Sequence, residues 1–381
     1  MNPLVSQMSP FIVMEVLEKA QAMEAEGLNI IHLEVGEPDF DVPACIVESA
    51  QQAYAKGKTH YTHSLGDIGL RQAIAQFYKS EYTVEVDPDC IVVTSGSSPA
   101  ILMALMVLCE AGGEVILSNP GYACYRNFVL ACNAVPVEVS LKAENGFQFE
   151  IEELKKAITS KTRAIFINSP MNPTGTLMSK ELMQEIASLG VPVLSDEIYH
   201  GLVYEGKAHS MLECTSEAFI LSGFSKRFAM TGMRLGYLIA PQKYMRSLQI
   251  LQQNLFICAP STAQQAGITA LTKAQDDVSA MCKVYNERRL YLLERIKTMG
   301  FIIHSEPQAA FYVFADARKY TNDCYAFAFD ILEKAHVGIT PGIDFGSNGE
   351  GFVRFSYANS MENIKEGLDR LEKYLKDILQ T

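Results

Sequence analysis

The segment "SGFSKRFAMTGMRLG", residues 222–236, sets Lys226 and Arg234 eight residues apart among glycines and small hydroxyl side chains. A primary amine with little bulk around it is suited to condensing with a carbonyl group, and a guanidinium beside it to holding an anion. A second segment, "TSGSSPAILMALMVL" (94–108), passes through a glycine into a helical pattern whose first turn holds Ser97, Ser98 and Pro99. The free N–H groups and dipole of such a helix start bind anions. The same residues would serve equally as an ordinary N-cap with proline in the first turn. The hydroxyls of Ser222 and Ser225, with Arg234, would complete a site for a dianion. Asp196 closes the apolar run "VPVLS" and is costly to bury without a cationic partner, whether a protonated ring nitrogen or a salt-bridging side chain. Tyr199 offers a hydroxyl to a phenolate oxygen or simply packs. Asn172, in "NPTG", offers an amide or simply makes a turn.

Something must hold these residues together. Seven short apolar runs punctuate the middle of the chain: "CIVVTSG" (90–96), "EVILSNPG" (114–121), "AVPVEVS" (134–140), "AIFINSP" (164–170), "VPVLSDE" (191–197), "AFILSGF" (218–224) and "LGYLIAP" (235–241). Each is β-branched, closes on Gly, Pro, Ser or Asn, and reads as a buried strand. Helical patterns such as "SKELMQEIASLG" lie between them. The alternation predicts an α/β fold: a large domain with a mainly parallel seven-stranded sheet sandwiched by helices. Ligands of such sheets bind beyond the carboxyl ends of the strands, where the polar residues named above cluster. The two chain ends predict a smaller α+β domain, with a helix over 10–26, the strands "AAFYVFAD" and "GFVRFSYA", and a final helix spacing Met361, Ile364, Leu368, Leu371, Leu375 and Ile378 by threes and fours. The expected division is an N-terminal arm and part of the small domain over 1–45, the large domain over 46–284, and the rest of the small domain over 285–381.

The 381 residues carry a formal net charge of −12, which argues against nucleic-acid backbone binding as the main task. Nine scattered cysteines without a CxxC pair read as reduced, mostly buried thiols of a cytoplasmic protein. No metal-ligand pattern and no signal or membrane segment is expected. Arg227 reads as a surface or interface charge outside the chemistry.

A phosphate site, an amine for an aldehyde, an acid for a ring nitrogen and partners for a ring oxygen are together what pyridoxal 5′-phosphate needs. At this point the sequence resembles the class I/II aminotransferases, the family of aspartate aminotransferase. The lysine segment "GFSKRFAMTGMRLG" fits throughout, and the likeness runs from "LEVGEPDFDVP" (33–43) to "GFVRFSYA" (351–358). The resemblance implies that Lys226 forms the Schiff base and moves the proton. It implies that Asp196 holds the pyridine nitrogen, that Asn172 and Tyr199 bond the ring oxygen, and that Tyr122 stacks on the ring. Ser97, Ser98 and Arg234 would take the phosphate, with Ser222 and Ser225 flanking. Tyr61 would reach the phosphate of a neighbouring subunit, which implies a homodimer with shared sites. Arg354 would grip the substrate α-carboxylate, helped by Asn172 and the backbone at Gly36.

Two departures bear on these roles. Gly223 stands where many relatives have a phosphate-binding hydroxyl. Ser98 stands where bacterial aspartate-specific relatives place a lysine for the distal carboxylate, and nothing in the sequence orients Arg126 to replace it. The expected activity is therefore amino-group exchange between an amino acid of neutral side chain and a 2-oxo acid by a ping-pong route. The alternative is a lyase eliminating from Cβ or Cγ on the same scaffold. A ligand sensor fused to a DNA-binding unit is disfavoured by the intact Lys226 and by the lack of a basic helix-turn-helix pattern.

Overall fold

The computed structural model describes residues 4–380. Its strands are β1 (Ile31–His32), β2 (Ile91–Thr94), β3 (Glu114–Asn119), β4 (Val135–Ser140), β5 (Thr162–Asn168), β6 (Val193–Asp196), β7 (Ala218–Gly223), β8 (Gly236–Ile239), β9 (Tyr312–Asp316), β10 (Val337–Gly338), β11 (Thr340–Pro341) and β12 (Phe352–Ser356). All seven apolar runs of the middle segment become strands of one sheet, in the order β2-β8-β7-β6-β5-β3-β4. β8 pairs antiparallel with both β2 and β7, and the other pairings are parallel. Because β8 alone is reversed, its amino end lies at the carboxyl ends of β2 and β7, where Gly236 pairs with both Thr94 and Gly223. The loop before β8 therefore returns to the functional edge of the sheet.

Most of these strands are buried on both faces, as parallel strands covered by helices are. β4 differs from expectation: it is an edge strand, and of its residues only Val139 is fully buried. One face of the sheet packs on α4 (Ser97–Leu108), α5 (Cys124–Ala131) and α8 (Met245–Leu255), through Ile101, Met103, Val129 and Leu248. The opposite face merges into the larger core shared with α2 (Ala44–Ala55), α3 (Ile68–Tyr82), α6 (Ile151–Ala157), α7 (Lys180–Ser188) and α9 (Ser261–Lys273) and continues under the small domain. That part contains the three-stranded sheet β11-β12-β9 and the α10 helix (Gln275–Met299), α11 (Cys324–Ala335) and α12 (Met361–Ile378). In α12 the stripe Ile364, Leu368, Leu371 and Leu375 is buried, as its spacing requires. The N-terminal helix α1 (Ile12–Ala25) buries Val16, Ala20 and Met23 in a small cluster with Leu332 of α11.

Two expectations are corrected. Only Cys324 of the nine cysteines is fully buried; the other eight are half-buried, and all are free thiols. Arg227 is not a surface charge: it is 9% exposed, stacks on Phe77 at 4.7 Å and Phe228 at 5.5 Å, and donates to Gln275 Oε1 at 2.7 Å. It ties the turn that carries Lys226 to α3 and α10 from behind. Among the described residues, no helix is long and apolar enough to cross a membrane.

Candidate active site

A cavity of about 470 Å³ opens at the carboxyl edge of the sheet, between it and the small domain. Four strands each deliver a group. The β2–α4 turn brings Ser97 and Ser98, and β5 with its following turn brings Asn168 and Asn172. β6 ends on Asp196, and the turn after β7 carries Ser225 and Lys226.

Ser97 opens α4 behind Gly96, whose φ of +89° lies in the region that favours glycine. A Cβ on Gly96 would lie 2.6 Å from Arg234 Nη2, and one on Gly236 would lie 2.7 Å from the Ser97 nitrogen. Missing side chains thus let the Arg234 guanidinium come up against a helix N-terminus. Arg234 itself has φ +51°, and its Nη1 donates to the Thr231 carbonyl at 2.9 Å. Ser225 also lines the cavity. Such an edge of N–H groups, hydroxyls and a guanidinium receives an anion.

Asp196 is buried in the floor. It accepts from Tyr125 Oη at 2.7 Å and from the Ile198 N–H at 3.0 Å, and burial pushes its carboxyl up to about 6 against those bonds. Asn168 fixes both neighbours: its amide donates to the Asp196 carbonyl at 3.0 Å, and its Oδ1 accepts the Asn172 N–H at 2.8 Å. Lys226 Nζ donates to the Gly36 carbonyl at 2.6 Å. Burial pulls the amine down to about 8, with Arg354 and Arg234 also opposing its charge and Glu37 favouring it. A lysine so depressed holds a useful neutral fraction near pH 7 to 8, the form that attacks carbonyls.

Opposite, β12 carries Arg354, only 3% exposed. Its Nη1 donates to Asn172 Oδ1 at 2.9 Å, and its Nη2 to the Glu34 carbonyl at 2.5 Å and Thr340 Oγ1 at 3.1 Å. Its Nε is buried without a hydrogen-bond partner among the described residues. The guanidinium lies 4.3 Å from the Tyr312 ring centre, and the Tyr312 hydroxyl shares a 2.8 Å hydrogen bond with Tyr199. Gly36 must lack a side chain, because a Cβ there would sit 2.1 Å from Tyr312 Oη. Tyr122 and Tyr125 form one wall, edge to face with centroids 5.2 Å apart.

Ser97, Ser98, Tyr122, Asn172, Asp196, Tyr199, Ser225, Lys226, Arg234, Arg354 and Gly36 therefore converge on one cavity. Ser222 does not. Its hydroxyl donates to the Glu197 carbonyl at 3.3 Å, away from the cavity. Tyr61 is 80% exposed and outside the cavity of its own chain. Arg126 is also outside, and its nearest acid is Glu138, at 3.6 Å. Sequence reasoning missed Tyr125, Asn168 and Tyr312. The second tyrosine of "NPGYACYRN" and the asparagine ending "AIFIN" were the available signals for the first two. It also missed Phe11, Met14 and Leu17, which face the cavity from α1.

A mainly parallel sheet with an amine, a buried acid and an anion edge at its carboxyl end is suited to carbonyl–amine chemistry on an anionic aldehyde. The chain belongs to the aminotransferase class I and II family, whose model matches residues 29–371. It is 42% identical to a (5-formylfuran-3-yl)methyl phosphate transaminase of Methanocaldococcus jannaschii over 370 residues, covering 96% of each chain. It is 38% identical to an aspartate aminotransferase of Pyrococcus horikoshii, over 96% of this chain and 94% of that one. A Methanococcus jannaschii crystal structure, described as similar in its active site to kynurenine aminotransferases, superposes with a TM-score of 0.92 at 40% identity, covering 98% of this chain and 100% of its own. The chain is an aminotransferase, of a family that depends on pyridoxal phosphate.

Proposed function

We propose that this aminotransferase takes amino donors with neutral side chains and exchanges their amino group with a 2-oxo acid in two half-reactions, the first product leaving before the acceptor enters. The residues fit pyridoxal phosphate. The edge formed by Ser97, Ser98, Ser225 and Arg234 suits its phosphate, Asp196 its protonated ring nitrogen, Tyr199 and Asn172 its ring oxygen, and Tyr122 its ring face. When bound, the cofactor supplies an aldehyde for the donor's amino group and a ring that draws electrons from the α-carbon. Lys226 would hold that aldehyde, and its amine, kept partly neutral by burial, would move the α-proton. Arg354 binds the α-carboxylate with the N–H groups its three protein acceptors leave over. Asp196 stays ionised once a cationic nitrogen faces it, although burial alone would favour its protonated form. The exposure of Tyr61 supports its service to the site of a second copy, and hence a homodimer. Residues 46–284 form the large domain in this proposal, 1–45 the N-terminal arm and part of the small domain, and 285–381 the rest of the small domain.

One observation carries the donor reading. Among the described residues three cations line the cavity, Lys226, Arg234 and Arg354, and each has a task that precludes gripping a distal carboxylate. The test is a steady-state panel with a common 2-oxo acid, comparing alanine, leucine and phenylalanine with aspartate. At least tenfold higher kcat/KM for the best neutral donor is expected. Preference for aspartate overturns the donor reading, and ammonia release without need of an oxo acid would point to a lyase instead.

A further inference from the structure

Phe11, Met14 and Leu17 follow one another at intervals of three along the start of α1, a spacing that puts them on one stripe, and all three line the cavity. Phe11 meets the Tyr122 ring edge to face at 5.9 Å, so the stripe continues the wall that begins at Tyr122. The helix cannot hold this position by its own cap, because Phe11 at the N-cap offers no side-chain acceptor. The acceptor comes from more than 300 residues away. Asp344 takes the Ile12 N–H on Oδ1 at 2.8 Å and the Val13 N–H on Oδ2 at 3.3 Å.

The placement of Asp344 has a consequence for specificity. Thr340, which bonds Arg354, Asp344, which caps α1, and Phe345, whose ring centre lies 4.9 Å from the Arg354 guanidinium, belong to one six-residue stretch. That stretch begins in β11, which pairs with β12 at Thr340 opposite Arg354. The clamp for the α-carboxylate and the apolar stripe of α1 are thus mounted on the same segment and held in register. We propose that α1 is the side-chain-selecting wall of the active site, fitted to aliphatic and aromatic donors, and that Asp344 is the positioning residue that sets its distance from Arg354. This rests on the aminotransferase reading and its neutral donors.

The test uses the full-length holoenzyme, wild type beside Asp344→Ala and Asp344→Asn. kcat/KM is measured for phenylalanine, leucine and alanine, and cofactor affinity by visible absorbance. In Asp344→Ala the phenylalanine-to-alanine ratio should fall at least fivefold, mainly through KM. Asp344→Asn, which keeps one acceptor oxygen, should recover part of the loss, and pyridoxal phosphate affinity should change less than twofold. Equal losses for all donors, or an unchanged ratio, would reduce Asp344 to a structural cap and overturn the proposal. Should Asp344→Ala not fold, Phe11→Ala combined with Met14→Ala must lower the same ratio, and an unchanged ratio there overturns it too. A wild type that accepts only dicarboxylic donors removes the donor reading itself, whereas a wild type that prefers apolar donors with unaltered variants removes only this inference.

Discussion

Replacement of Arg354 by alanine should separate substrate binding from cofactor binding. The guanidinium has five N–H donors, and three protein acceptors engage three of them, leaving the buried Nε and one more for a ligand. A hydrogen bond to a charged group contributes about 1.5–3 kcal/mol, so losing two of them to a carboxylate costs roughly 3–4 kcal/mol once water fills the gap. That corresponds to roughly 10²- to 10³-fold in kcat/KM for the amino donor. The assay is steady-state transamination at saturating pyridoxal phosphate, with the cofactor Kd measured separately by absorbance titration. The donor KM should carry most of the loss while the cofactor Kd moves by less than about threefold, since no contact of Arg354 reaches the anion edge. Arg354→Lys keeps the charge but not the planar fork, and should recover only part of the affinity. Collapse of cofactor affinity with an unchanged donor KM would refute this reasoning.

Three further outcomes follow from the same geometry. Gly96→Ala forces a Cβ to within 2.6 Å of Arg234 Nη2 at a φ of +89°, so the cofactor Kd should rise about tenfold or more while the donor KM changes little, the reverse of the Arg354 pattern. Lys226→Ala should fold normally, still bind pyridoxal phosphate, and lose about 10⁴-fold or more in turnover; normal steady-state rates would refute the role of the amine. The cofactor-free protein should lose stability relative to Asp196→Asn as pH rises from about 4 to about 6. A folded-state carboxyl pushed up to about 6 from 3.8 contributes stability below its unfolded pKa and loses it as pH climbs through the folded one, a difference on the order of 3 kcal/mol. Thermal melts of both proteins across that range check it, and a wild-type Tm that holds or rises relative to that of Asp196→Asn towards pH 6 would contradict it.

The seven strands were legible because β-branched runs closed by Gly, Pro and Ser leave few other readings. The direction of β8 was less so, although a signal existed: residues 224–235, the twelve between β7 and β8, lack the helical pattern a parallel crossover needs. Lys226, Asp196 and Arg354 stood out as charges in or beside apolar runs. Tyr125 and Asn168 did not, because an aromatic on a helix and an amide at a strand end look the same whether they pack or hold an acid in place. Arg227 is hidden for a related reason: a charge reads as exposed until tertiary stacking on Phe77 is known. Ser222 and Ser225 were equivalent in sequence, and only the turn after β7 decides which of them faces the cavity. Phe11, Met14 and Leu17 repeat at helical spacing in the sequence, but periodicity does not name the surface a helix faces.

The most direct test of the central claim is a single-turnover spectrum of the protein loaded with pyridoxal phosphate and mixed with one apolar amino acid in the absence of any oxo acid. The visible band of the lysine-bound cofactor should convert stoichiometrically to the pyridoxamine band and return when a 2-oxo acid is added. A band that recovers by itself as ammonia accumulates would make the enzyme a lyase, and no visible band at all would contradict the assignment of Lys226 and its cofactor.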